Sequence, residues 1–380
     1  MSKTNDGHNS PGEGTIYHRA DGRWMATYSV GGRKRKSLYA ETEREVRRRL
    51  RLALREQAAG IPPSDERLTV TGFLNRWLEE VAKPSVRPKT YLGYRGVVRD
   101  HLVPDLGHIK LAKLTPADVQ HLLVRKLGDG HSVTYVAYMR TVLRIALGRA
   151  LRWDLVRRNV AGLTDKPKGP KKPISPLSFE EAQAFLSSAS GDRLYAIYAL
   201  ALTTGLRQGE LLGLSWADVD IAGRQLRVHQ QLQRLDGRLQ LVEPKSSASR
   251  HMVALIPVAA EALTAHRERQ LFERRAADKR WRESGLVFTT AIGTPLEPRN
   301  LVRSFKAALR KAKIADRRFH DLRHSSASLL LALGVPLKVV SEMLGHSTIR
   351  LTADTYSHVM PALQAEAASR LDAIFGESKA

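Results

Sequence analysis

The chain has 380 residues, 42% hydrophobic and 26% charged, which suits a globular protein able to bury two or three cores. It contains no cysteine, so disulfides, thiolate metal sites and cysteine nucleophiles are excluded. No apolar run reaches the roughly 18 residues of a membrane span and MSKTNDGHNSPGEG lacks a signal-peptide core, so a cytoplasmic protein with no membrane partner is expected.

The 62 Lys and Arg against 38 Asp and Glu leave a formal charge of +24. Such a surface repels itself unless a polyanion is near, which makes nucleic acid the leading partner, although a generally Arg-rich composition also fits.

Residues 15–39 alternate apolar and polar side chains, with breaks at Asp21-Gly22 and Gly31-Gly32. They predict three short strands joined by tight hairpins, followed by a basic helix over 41–58. The run Arg33, Lys34, Arg35 and Lys36 fits either a DNA-reading element or a solvated hairpin tip. Residues 1–60 therefore form a first module, closed by the break Gly60-Ile61-Pro62-Pro63-Ser64.

Residues 66–160 read as helices, with Thr115 as N-cap and Pro116 at the first helical position. Here Arg87 and Lys89 are candidate phosphate contacts, or simply solvated charges. Residues 161–176 hold four prolines and four lysines, Lys171 and Lys172 among them, and predict an extended basic connector suited to a phosphate backbone. Ser178 with Glu181 is a capping box that opens a last domain over 177–380, mainly helical, with strands at roughly 225–256 around Asp236-Gly237. The expected fold class is thus multidomain: a small α+β module of three-stranded sheet plus helix, an all-α domain, and a mainly α domain with a small β-sheet.

Four stretches of the last domain carry chemistry: TGLRQGEL with Arg207 and Glu210, EPKSSASR with Lys245, HDLRHS with His320 and Arg323, and LGHSTIRLTADTYSH with His346 and Tyr356. Two guanidiniums can fork onto phosphodiester oxygens and neutralise charge in a pentacovalent transition state. A tyrosine hydroxyl can attack phosphorus if a base such as His320 takes its proton and an acid such as Lys245 protonates the leaving oxygen. Each residue has a plainer role open to it: Arg207 as a local partner of Glu210, Lys245 as a loop lysine, Tyr356 as a packed ring. His320 and His324, four apart, also resemble a metal pair, but the glutamate of the HExxH helix is missing.

In their order and spacing, Arg207, Lys245, His320, Arg323, His346 and Tyr356 resemble the signature of the tyrosine recombinases, the phage integrase family. Residues 68–160 resemble that family's core-binding domain and 14–58 its arm-binding domain. The resemblance implies transesterification through a 3'-phosphotyrosine, with neither cofactor nor metal. Tyr356 is then the nucleophile, Arg207 and Arg323 the phosphate clamp, Lys245 the general acid, His320 the base, His346 an assisting group and Glu210 an organiser of the site.

It also implies double-stranded attachment-site DNA as substrate, a homotetramer on that DNA, a nucleoid location, and an excisionase and a host DNA-bending protein as accessory partners. Residues 361–375 place Leu363, Ala367, Leu371 and Ile374 on one helical stripe. That stripe packs either on a neighbouring protomer or on its own domain. An integrase of a phage or mobile element is expected, ahead of a dimer-resolving recombinase, a transposase or a non-cleaving regulator.

Overall fold

A computed structural model of the chain describes residues 14–29, 35–58, 67–170, 174–244, 251–345 and 348–356, with 368–369, 371–373 and 375 near the C-terminus. The chain divides into two compact units, Met1–Pro170 and Lys171–Ala380.

The first unit begins with strands β1 (Thr15–His18), β2 (Trp24–Ser29) and β3 (Arg35–Ala40), antiparallel in the order β1-β2-β3, with Trp24 opposite Ala40 and Tyr28 opposite Lys36. Period-2 alternation puts Ala26 and Tyr28 on one face, and helix α1 (Glu43–Ala58) covers it with Val46 and Leu50, which lie one turn apart. Arg35 is exposed and Lys36 half-buried, whereas Arg33 and Lys34 lie outside the described residues. The exposed arginines of α1 are partly neutralised locally, Arg47 by Glu43 and Arg49 by Glu45.

The helical part follows the expected caps. Helix α2 (Val70–Trp77) starts where Thr69 accepts a hydrogen bond from the Gly72 amide. It runs into a π-helical turn, Leu78–Ala82, and α3 (Pro88–Val97) likewise runs into one at Val98–Leu102. Hydrophobic periodicity does not distinguish these extra-residue turns from ordinary helix.

Helix α4 (Pro116–Gly128) has the full Thr115–Asp118 capping box, and α5 (Val133–Arg152) is capped by Ser132. Phe73, Trp77, Leu102, Leu122, Met139 and Leu143 form the centre of this core. Exposed Arg87 and Lys89 flank Pro88 at the N-terminal turn of α3.

One boundary differs from expectation. Residues 161–164, assigned above to the connector, complete the helical core: Ala161 is buried in a 3-10 turn, and Arg140 donates to Thr164 Oγ1 and to its carbonyl oxygen at 2.9 and 2.7 Å. The proline-rich composition of the following residues masked the reach of Arg140 from α5. Lys171 and Lys172 lie outside the described residues.

In the second unit, Ser178 and Glu181 exchange capping hydrogen bonds at 3.1 Å and open α6 (Phe179–Ala189). Helix α7 (Tyr195–Thr204) is apolar on all sides and accordingly lies at the centre of the core with Phe185, Phe305 and Phe319 nearby. After the short α8 (Gln208–Leu212) come β4 (Val219–Asp220), β5 (Gln225–Val228), the hairpin β6 (Gln231–Leu235) with β7 (Arg238–Val242), and β8 (His251–Ala254).

Strands β4, β5 and β8 make one antiparallel sheet, while β6 and β7 pair alone across Asp236-Gly237, both at positive φ as a two-residue hairpin turn requires. Helices α9 (Pro257–Ala277), α10 (Pro298–Lys311), α11 (Asp321–Ala332), α12 (Leu337–Met343) and α13 (Ile349–Tyr356) complete the unit. The stripe expected over 361–375 falls almost wholly outside the described residues, although Leu371 is described and exposed. Among the described residues no helix is long and apolar enough to cross a membrane.

Candidate active site

The site is assembled where α7 stops. Gly205 ends that helix in the left-handed conformation (φ 65°), which turns the chain sharply and leaves its carbonyl facing Arg323. Two residues on, Arg207 stands immediately before α8. Its backbone N–H donates to Glu210 Oε2 and its Nη1 to Oε1, both at 2.8 Å, and Glu210 is only 3% exposed. The carboxylate thus holds one end of the guanidinium. Arg207 itself is half-buried.

Arg323, in the first turn of α11, is 3% exposed. Its Nη1 donates to the Gly205 carbonyl at 2.7 Å and its Nη2 to the Leu344 carbonyl at 2.6 Å. Those two carbonyls, from the end of α7 and the end of α12, fix the plane of the fork. Burial, and then the neighbouring Arg207 charge, push this guanidinium down to about 10, with Glu210 and Tyr356 opposing. Arg207 lies near enough for its charge to act on Arg323, a repulsion that a bound anion would relieve.

Replacing Gly205 by alanine tests the support. A Cβ there would come within 2.5 Å of the Leu344 Cδ2 methyl and adopt a backbone conformation costly for any L side chain. Gly205→Ala is expected to lower stability by about 1–2 kcal/mol, read as a shifted urea midpoint with unchanged slope.

His320 precedes α11 and remains solvent-accessible on one side. Partial burial, followed by the charges of His324, Arg323 and Arg207, pushes it down to about 4, so the imidazole is neutral near pH 7 and able to accept a hydrogen bond or proton. Tyr356 closes α13 with its ring 1% exposed among Ala327, Leu331, Val340 and Leu344. Burial raises its phenol to about 12 despite the opposing effect of Arg323, so it is protonated at neutral pH. Its hydroxyl lies 2.9 Å from Nδ1 of His324.

The structure therefore brings Arg207, Glu210, His320, Arg323 and Tyr356 to one region. Lys245 and His346 lie outside the described residues. His251 Nε2, on β8, is 3.2 Å from the carbonyl oxygen of Met343. The sequence reading weighed His324 only as half of a metal pair and missed its contact with Tyr356. Its place one turn after His320, beside Arg323, was the available signal. Among the described residues no group of three or more His, Asp or Glu side chains is arranged to hold a metal ion.

Arg207 and Arg323 thus lie in the same region as the buried phenol of Tyr356. Comparison with known proteins identifies the family. Residues 176–362 match the phage integrase family and 69–127 the phage integrase N-terminal SAM-like domain.

The chain is 33% identical over 372 residues to an integrase of Streptomyces ambofaciens, covering 93% of this chain and 94% of that one. It is 30% identical over 362 residues to a tyrosine recombinase XerC-like protein of Caldanaerobacter subterraneus subsp. tengcongensis, covering 90% and 92%. The solved structure of the Tn1549 transposon integrase in complex with a circular intermediate DNA superposes with a TM-score of 0.68 at 22% identity, over 80% of this chain and 99% of that one. The chain belongs to the phage integrase family of tyrosine recombinases, enzymes that cleave and rejoin DNA.

Proposed function

We propose that the chain is a site-specific recombinase that integrates or excises a phage or mobile element through a 3'-phosphotyrosine intermediate. The observation that carries this reading is the juxtaposition of a buried, protonated Tyr356 with Arg323, whose guanidinium is forced to keep its charge in a poorly solvated place. A phosphodiester entering there meets two forks, from Arg207 and Arg323, that strengthen as negative charge grows in the transition state. Tyr356 attacks phosphorus, Lys245 protonates the departing 5' oxygen, and neutral His320, with His346, handles proton and hydrogen-bond traffic at the phosphate. Tyr356 packs on α11 and α12 of its own chain, which supports a nucleophile supplied by each protomer to its own site. Two duplexes have four strands, so four protomers complete an exchange, and the assembly on DNA is a homotetramer.

The energy of the cut bond is kept in the phosphotyrosine linkage, so no cofactor is consumed. The basic residues outside the site suit phosphate contacts: Arg87 and Lys89 sit at a helix N-terminus, and Arg33, Lys34, Arg35, Lys36, Lys171 and Lys172 add positively charged stretches along the chain. A separate N-terminal sheet module favours an integrase, which reads accessory arm sites as well as the crossover, with an excisionase and a host bending protein setting direction. Such an enzyme works at the nucleoid.

The test is a labelled duplex carrying the attachment sequence found beside the coding gene, nicked so that the cut end diffuses away. Incubation with excess chelator is expected to leave a denaturant-resistant protein–DNA species whose crosslinked peptide contains Tyr356. Failure to form it, or formation only after zinc is added back, overturns the reading.

A further inference from the structure

We propose that His324, rather than His320, receives the Tyr356 proton when the phenol attacks DNA, an inference that rests on the transesterification reading above. The hydroxyl is 2.9 Å from His324 Nδ1, within hydrogen-bonding distance, and the two ring centroids are 5.7 Å apart. The contact joins α11 to α13 across 32 residues of sequence, so it is a feature of the tertiary fold.

With the Tyr356 ring 1% exposed, the acceptor for its proton has to be a protein group already beside it. His320 stands edge-to-face on His324, at 5.0 Å between centroids, and opens toward solvent, the side from which a phosphate arrives. Partial burial, and then the charges of His324, Arg323 and Arg207, also make it a weak base. The two imidazoles thereby divide the work, His324 serving the nucleophile and His320 the phosphate.

For Nδ1 to accept, His324 carries its ring hydrogen on Nε2. In cleavage the phenolic O–H proton moves to Nδ1, the freed oxygen pair forms the O–P bond, and the P–O5' bond breaks. The departing 5' oxygen takes a proton from the general acid, proposed as Lys245. In rejoining, a 5' hydroxyl attacks phosphorus, returns its proton to that acid, and the His324 imidazolium reprotonates the leaving phenolate. Protons and electron pairs balance in both directions with no added reactant.

The experiment measures covalent adduct formation by the full chain on two nicked duplexes of the attachment sequence, one ordinary and one with sulfur replacing the bridging 5' oxygen. A thiolate leaves without protonation. His324→Ala and His324→Asn are compared with Lys245→Ala, with duplex binding confirming that each variant is folded. The Asn amide oxygen can take the hydrogen bond near the Nδ1 position but cannot take the proton.

Both His324 variants are expected to be slowed by roughly 100-fold or more on either duplex, whereas sulfur restores Lys245→Ala. Wild-type rates in His324→Asn would reduce the role to holding the hydroxyl and overturn the proposal. So would restoration of the His324 variants by sulfur, which would put His324 on the leaving-group side. Absence of adduct in the wild type, or its persistence in Tyr356→Phe, would instead sink the underlying transesterification reading.

Discussion

Tyr356→Phe is expected to eliminate the covalent protein–DNA species on a nicked attachment-site duplex while duplex binding persists. The substitution removes only Oη. The remaining ring keeps its contacts with Ala327, Leu331, Val340 and Leu344, and no charge that faces DNA is altered. Binding dominated by phosphate contacts should therefore keep both its strength and its salt dependence. The lost hydrogen bond to His324 costs stability about 0.5–1.5 kcal/mol, too little to unfold the domain. Chemistry fails because the attacking oxygen is gone. Denaturing gels read the adduct and native gels read the binding. An adduct that survives in the mutant would mean another residue attacks.

Arg323→Lys is expected to cut the rate of adduct formation by roughly 100-fold or more, with most DNA affinity retained. Charge is conserved, so the electrostatic attraction to the backbone changes little. Geometry is not conserved: lysine has no planar fork with which to hold the Gly205 and Leu344 carbonyls while presenting further donors to a phosphate. An interaction that tightens only as charge builds on phosphorus affects the chemical step more than binding. Arg323→Ala should be slower still, and less stable, because it leaves two buried carbonyls without their donor. Single-turnover rates at saturating protein separate the chemical step from binding. A Lys variant with a wild-type single-turnover rate would show that a point charge suffices.

Much of the site was legible because its parts sit in short local contexts. Arg207 lies between apolar stretches, His320 and Arg323 are one helical turn apart, and the Ser178–Glu181 and Thr115–Asp118 boxes announce their helices from three residues away. Of the roles open to Arg207, the local one is visible: it is an ion-pair partner of Glu210, a pairing compatible with the clamp proposed here. The misjudged connector at 161–164 had a different origin, since composition reported prolines and lysines and could not report Arg140 reaching over from α5.

What the sequence by itself determined was the set of chemical groups, their order and the family they resemble, together with the multidomain fold class. Those follow from local pattern: strand alternation, helical caps, and charged residues in apolar surroundings. Only the tertiary structure decided how the groups meet. Arg323 is gripped by a carbonyl 118 residues earlier and another 21 residues later, and Tyr356 meets His324 across 32 residues. Periodicity decays over a few turns and carries no information about which helix ends converge. Packing α11 against α7 in one hydrophobic cluster and against α12 and α13 in a second sets these distances, and with them the burial that raises the phenol and weakens His320 as a base.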